Sequence, residues 1–123
     1  MSLPVVPTGT NLALLAGTLS RSPSVRTLPS GTTVASLELR TKPSDGPAET
    51  VPVSWFDPPA TVGRLAEGDD LVVVGRVRRR FFRAGGATQS RTDVLATAVV
   101  PSRQAARARR LVADVVAQLR PDL

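Results

Sequence analysis

The chain has 123 residues, enough for one hydrophobic core, and a hydrophobic fraction of 41%, typical of a soluble globular domain. It contains no cysteine or histidine, which excludes disulfides, thiolate and imidazole metal sites, and Ser-His or Cys-His nucleophilic catalysis. The net charge of +6 comes wholly from the second half, because residues 61–123 hold 12 arginines against six acids, whereas residues 1–60 are balanced. Such asymmetry favours a polyanionic partner.

The ten acidic residues are scattered along the chain, with no spacing typical of a calcium loop or an acid/base pair. We therefore expect a protein that is not an enzyme and needs no cofactor. No apolar run approaches the roughly 20 residues of a membrane span, and the start lacks the pattern of a signal peptide. These features predict a cytoplasmic protein without a membrane partner.

The first half of the chain reads as three strands. Residues 11–20 predict a strand with a bend at Gly17, and residues 21–31 predict a turn-rich connection. The stretch 32–41 alternates, which places Ala35, Leu37, Leu39 and Thr41 on one face of a strand and Val34, Ser36, Glu38 and Arg40 on the other. After a loop containing Asp45 and Gly46, the sequence TVPVSWF predicts a third strand, which ends at Phe56.

The second half adds a short helix, two more strands and a terminal helix. Two prolines and a later glycine bound the predicted helix at residues 59–67. Residues 71–83 predict a long strand, residues 84–87 a turn, and residues 89–100 a returning strand. Five strands with a helix between the third and fourth predict a mainly β fold, the five-stranded OB-fold Greek-key barrel, which binds single-stranded nucleic acid or oligosaccharide.

Beyond Pro101 the pattern changes to helical spacing, with Ser102 as the expected N-cap. The apolar positions of this added C-terminal helix are Ala108, Leu111, Val112, Val115 and Leu119. We therefore expect a barrel domain over residues 1–100 and an amphipathic helix over residues 101–123. The apolar stripe is expected to pack on its own barrel or at a subunit interface, and the arginines of the other side are a second candidate surface for nucleic acid.

Three blocks of the sequence resemble the bacterial single-stranded DNA-binding proteins. They are GTLSRSPSVRTLPSGTTVASLEL near the first turn, EGDDLVVVGRVRRRFF in the fourth strand and TDV in the fifth. Their order and spacing are those of the family, here without the acidic C-terminal tail. The resemblance implies an OB-fold that forms dimers or tetramers and wraps single-stranded DNA over aromatic and basic side chains.

The resemblance also implies roles for particular residues. Phe56 and Phe82 match base-stacking aromatic positions, and Arg78 and Arg80 match basic positions that contact the DNA backbone. The basic side chains that extend this candidate path are Arg40, Lys42, Arg83 and Arg91. Thr50 stands at another stacking position and the hairpin near Asp45 is short, which implies fewer stacking platforms and a weaker or shorter footprint.

Strand alternation separates the two adjacent phenylalanines. Arg78, Arg80 and Phe82 should share one face, while Phe81 should share the other with Val77 and Arg79 and pack inside or at a subunit interface. Trp55 alternates with Val51 and Val53, so we expect it in the core rather than in a binding surface.

The expected function is sequence-independent binding of single-stranded DNA, coating exposed strands in replication, repair or recombination. The expected partners are single-stranded DNA, further copies of the chain and replication or repair proteins, in the bacterial cytoplasm near the nucleoid. The alternative is a primosome-type OB-fold adaptor with weak DNA affinity, which the missing tail and missing aromatics favour. RNA binding is a third alternative, because stacking surfaces accept the bases of both DNA and RNA.

Overall fold

A computed structural model describes residues 6–119 of the chain. The outermost residues of the two predicted domains, 1–5 and 120–123, lie outside this range. The elements are β1 (Ala13–Leu19), β2 (Ser24–Thr27), β3 (Thr33–Thr41), β4 (Glu49–Phe56), a 3-10 helix (Ala60–Arg64), β5 (Asp70–Ala84), β6 (Ala87–Pro101) and α1 (Ala105–Gln118).

The six strands form one sheet in the order β1-β5-β6-β4-β3-β2, and a further pairing joins β1 to β3. This last pairing, between Thr18–Leu19 and Leu39–Arg40, closes the sheet into a barrel. All pairings are antiparallel except that of β4 with β6, where Val53 lies beside Val94. The architecture is the predicted OB-fold, with the predicted short helix between β4 and β5.

The first turn differs from the sequence-based expectation, because the connection predicted between the first two strands contains β2. This strand pairs with β3 from Ser24–Ser36 to Thr27–Thr33. The hairpin is closed by hydrogen bonds from the Leu28 amide to the Thr32 carbonyl and from the Gly31 amide to the Leu28 carbonyl, both 2.8 Å. Turn residues flank this segment, so the sequence indicated a loop. In the structure the segment forms a strand because the edge of β3 offers hydrogen-bond partners for its backbone.

The core lies on the predicted faces of β3 and β4. Ala35, Leu37 and Leu39 of β3 are buried with Val53 of β4 and Leu71 of β5. Trp55 is partly buried and packs against this cluster, as its position in the alternation predicts. The opposite face of β3 is more exposed, apart from Val34, which lies in register with Phe56.

The long β5–β6 hairpin carries the densest cluster of arginines. Its strands pair from Leu71–Pro101 to Ala84–Ala87, and its two-residue tip is Gly85-Gly86. Both glycines have positive φ, 60° and 80°, which fits the tight turn that the right-handed strand twist requires. The predicted turn at residues 84–87 is therefore confirmed.

The terminal helix packs on the outside of the barrel. α1 contacts β5 and β6, and Val115 is its buried residue. Val74 of β5 and Val100 of β6 are buried as well, on the strand faces that point away from the main core. No helix within residues 6–119 combines the length and hydropathy needed to cross a membrane.

Ser102 is not the N-cap of α1, so this prediction is wrong. The Ser102 amide donates to the Asp70 carbonyl at 2.8 Å and prolongs the β5–β6 pairing. The helix therefore begins later, with Gln104 in the N-cap position and no hydrogen bond between its side chain and the backbone amides of the first turn.

Replacing Gly75 by alanine is expected to destabilise the barrel. The β5–β6 register shifts by one residue between Val74 and Gly75, and a Cβ added at Gly75 would overlap the Leu95 carbonyl and lie 2.9 Å from the Ala96 Cα. Because both atoms belong to the backbone of β6, Gly75→Ala should lower the free energy of unfolding by about 1–3 kcal/mol in urea denaturation.

Gly63→Ala is the matched control, because an added Cβ there meets no atom within 4 Å. It should change the free energy of unfolding by no more than about 1 kcal/mol. Equal effects of the two substitutions would contradict the steric explanation.

Candidate nucleic-acid interface

A buried carboxylate organises the arginines of the β5–β6 hairpin. Asp93 is 3% exposed and lies in register with Arg78. Arg78 donates from Nε to Asp93 Oδ1 at 3.1 Å and from Nη2 to Oδ2 at 2.9 Å, while Ser54 Oγ donates to Oδ2 at 2.7 Å. This two-pronged pairing holds the guanidinium in one orientation.

The same contacts keep Asp93 ionised. Burial alone would raise its pKa, but the hydrogen bonds from Arg78 and Ser54 and the charges of Arg78 and Arg80 outweigh burial, so its pKa lies below the usual value. The Nη2 atom of Arg80 is 3.8 Å from Asp93 Oδ2. One carboxylate therefore faces two arginines, which leaves positive charge uncompensated within the cluster.

Phe56 lies at the side of this cluster. Its ring centroid is 5.6 Å from Arg78 Cζ, within the range of a cation–π contact, and the residue is 38% exposed. The structure thus brings two of the predicted site residues, Phe56 and Arg78, into contact, with the second held by Asp93.

A polar groove of about 250 Å³ runs beside the cluster, over the outward face of the sheet. Its basic lining residues are Arg21, Arg26, Arg80 and Arg91. Arg80 and Arg91 lie directly opposite each other in the β5–β6 register. Arg21 is paired with Glu38, so its charge is compensated.

Phe82 and Phe81 lie on different faces of β5, as alternation predicts, because Arg78 and Arg80 contact Asp93 whereas Arg79 lies 5.2 Å from the Phe81 ring. Phe82 is 42% exposed. Phe81 is 67% exposed, so the expectation that it packs inside its own barrel is wrong. Its other expected place, a subunit interface, stays a prediction.

The remaining predicted residues do not line this groove. Arg83 donates to the Gly86 carbonyl at 2.9 Å and so braces the hairpin tip. Lys42 donates to the Gly46 carbonyl at 3.2 Å, and with Arg40 it lines a separate shallow cleft beside β1. The structure therefore groups Arg80 with Arg91 but places Arg40 and Lys42 in another cleft.

Sequence reasoning missed Asp93 and Ser54 as parts of the site. The signal was present, since Asp93 is the only acidic residue of β6, but its role depends on facing Arg78 across the hairpin. Ser54 comes from β4, and only the parallel pairing of β4 with β6 brings it to Asp93.

An OB-fold barrel with a basic, aromatic-bearing outer face defines a class of proteins that bind extended, negatively charged chains. The sequence model of the single-strand binding protein family matches residues 10–102, and the chain belongs to this family. Membership supports single-stranded DNA binding as the general activity, in a family that is not enzymatic. No curated protein matches the chain.

Asp93→Asn is expected to lower the free energy of unfolding by about 2–3 kcal/mol at neutral pH, because it leaves the partly buried Arg78 without its counter-charge. The carboxylate stabilises the fold above its unfolded-state pKa of about 3.9, and this contribution is lost as the pH falls through the lower pKa of the folded state. Urea denaturation should therefore show a difference between wild type and variant that is constant above about pH 5 and shrinks below about pH 4.

Asp114→Asn on the exposed surface of α1 is the control and should change stability by less than about 0.5 kcal/mol. A difference between wild type and Asp93→Asn that grew on acidification would contradict this account.

Proposed function

We propose that this protein binds single-stranded DNA without sequence preference and coats exposed strands during replication, repair or recombination. The observation that carries the proposal is the register of Arg80 with Arg91 in one polar groove. Like charges directly opposite each other destabilise a strand pair, and a bound phosphate chain would relieve the repulsion.

The exposed aromatic rings support the same proposal. Phe56 and Phe82 are both more than one-third exposed, and both lie near arginines of β5. Stacking on such rings accepts every base, while arginines neutralise phosphates, so the combination fits binding without sequence preference.

The proposed binding path runs from Phe82 and the groove of Arg80 and Arg91 towards Phe56. In this path Arg78 acts mainly by orienting Phe56, since Asp93 already neutralises much of its charge. Arg83, Arg40 and Lys42 are proposed as outlying phosphate contacts.

We also propose that the protein works as a homodimer or homotetramer in the cytoplasm, near the nucleoid, and recruits replication or repair proteins. Family membership supports this organisation. Mass measurement in solution distinguishes the dimer from the tetramer, and a monomer at micromolar concentration would overturn the proposed oligomeric state.

Phe82→Ala is expected to weaken binding of a labelled oligo-dT by about 1–3 kcal/mol, the usual value of one base–aromatic stack. Fluorescence anisotropy at constant salt measures the loss. Phe81→Ala is the matched control, because the ring is adjacent in sequence and more exposed but lies on the other face. With the mass in solution equal to that of wild type, Phe81→Ala should change the affinity by less than about 0.5 kcal/mol, and equal losses would contradict the proposed path.

Binding of oligo-dT should fall steeply as salt increases, and Arg80→Ala should reduce the slope of log K against log[salt] by about 1. Arg109→Ala on α1 removes the same charge outside the proposed path and should leave the slope unchanged. Negligible oligo-dT binding at low salt would sink the proposal and favour the adaptor function instead.

A further inference from the structure

A second groove lies between the 3-10 helix and the start of α1, lined by different residues from the basic groove on the sheet face. Its cavity of about 120 Å³ has Trp55, Val62 and Leu65 among its apolar lining residues. An apolar cavity of roughly 150 Å³ takes up one benzene ring, so this one suits a single aromatic or branched aliphatic side chain.

Three arginines line the same groove: Arg64 from the end of the 3-10 helix, Arg103 from the turn before α1, and Arg107 from the first turn of α1. No carboxylate lines it, and none of the three has a salt-bridge partner within residues 6–119. Arg107 bonds instead to the neutral side chain of Gln104. Closely spaced carboxylates would complement the positive charge of these three arginines.

The N-terminus of α1 adds to the same preference. Gln104, the N-cap residue, lines the groove, and its side chain does not cap the helix. The amide groups of the first helical turn therefore present partial positive charge at this end of the groove, which favours a carboxylate there.

The groove is less suited to nucleic acid. Trp55 is partly buried against the core, so it does not offer a whole face to a base. A base would also bring polar edges to a floor that is mostly apolar, where they would lose hydrogen bonds to water. A peptide with one apolar side chain between carboxylates would place the apolar group against the apolar lining residues and the carboxylates against the arginines.

We propose that this groove binds a short acidic segment of a partner protein, with one aromatic or branched aliphatic side chain in the cavity and carboxylates on the arginines. The site is independent of the proposed DNA path. Trp55 and Ser54 are adjacent on β4, and strand alternation points their side chains to opposite faces, so the two grooves lie on different sides of the strand.

The experiment uses the full chain and the acetylated, amidated peptide DEFEDL. Trp55 is the single tryptophan, so its fluorescence reports occupancy of the cavity directly. We expect a saturable change in emission. The peptides NQFQNL, which lacks the charges, and DESEDS, which lacks the apolar side chains, should each bind at least fivefold more weakly.

The double substitution Arg64→Gln with Arg107→Gln should weaken binding of DEFEDL at least tenfold, whereas Arg109→Gln, on the same helix but outside the groove, should change it less than twofold. Oligo-dT affinity of the double variant should equal that of wild type, which shows that it folds. Saturating oligo-dT should not displace the peptide.

Three results would overturn the proposal. The first is the absence of a saturable change in emission. The second is equal weakening by the Arg109 substitution and the double substitution, which would indicate attraction by overall charge alone. The third is loss of oligo-dT affinity in the double variant together with displacement of the peptide by oligo-dT, which would assign the groove to nucleic acid.

Discussion

The buried Asp93 carboxylate sets the geometry of the basic face, because a guanidinium held by two hydrogen bonds has one orientation whereas a free arginine has many. Through Arg78 this carboxylate fixes the cation beside Phe56, and it lies close enough to Arg80 to attract it without closing a hydrogen bond. Ser54 completes the set from β4. The proposed binding surface therefore rests on a small polar network that joins β4, β5 and β6.

That network changes which residues are available to a polyanion. Arg78 belongs to a charge pair and a cation–π contact, so its main effect is on the ring beside it. Arg80 lies 3.8 Å from an Asp93 oxygen that Arg78 already engages, and Arg91, directly opposite Arg80, has no salt-bridge partner within residues 6–119, so both leave positive charge uncompensated in the groove. Arg78 and Arg80 on one strand thus have different roles, because Arg78 forms two hydrogen bonds with the Asp93 carboxylate whereas Arg80 only lies near it.

The closed barrel also separates two kinds of surface. Strand alternation on β4 places Ser54 towards the basic groove and Trp55 towards the core and the groove beside α1. The start of α1 and the turn before it form one side of the second groove, since Arg103 and Gln104 come from the turn and Arg107 from the helix. The helix α1 lies beyond the residues that match the family and helps to form the candidate protein-binding groove, while the barrel carries the candidate DNA path.

Local patterning determined much of this protein by itself. The two-residue period of β3 predicted its buried face, the glycine pair predicted the hairpin tip, and the spacing of Arg78, Arg80 and Phe82 predicted their shared face. Tertiary structure decided β2, whose pairing depends on a free edge of β3, and the start of α1, where Ser102 continues the strand pairing. It also decided the role of Asp93. The sequence shows which residues are charged but not that β5–β6 pairing places Asp93 opposite Arg78, or that parallel β4–β6 pairing brings Ser54 to it.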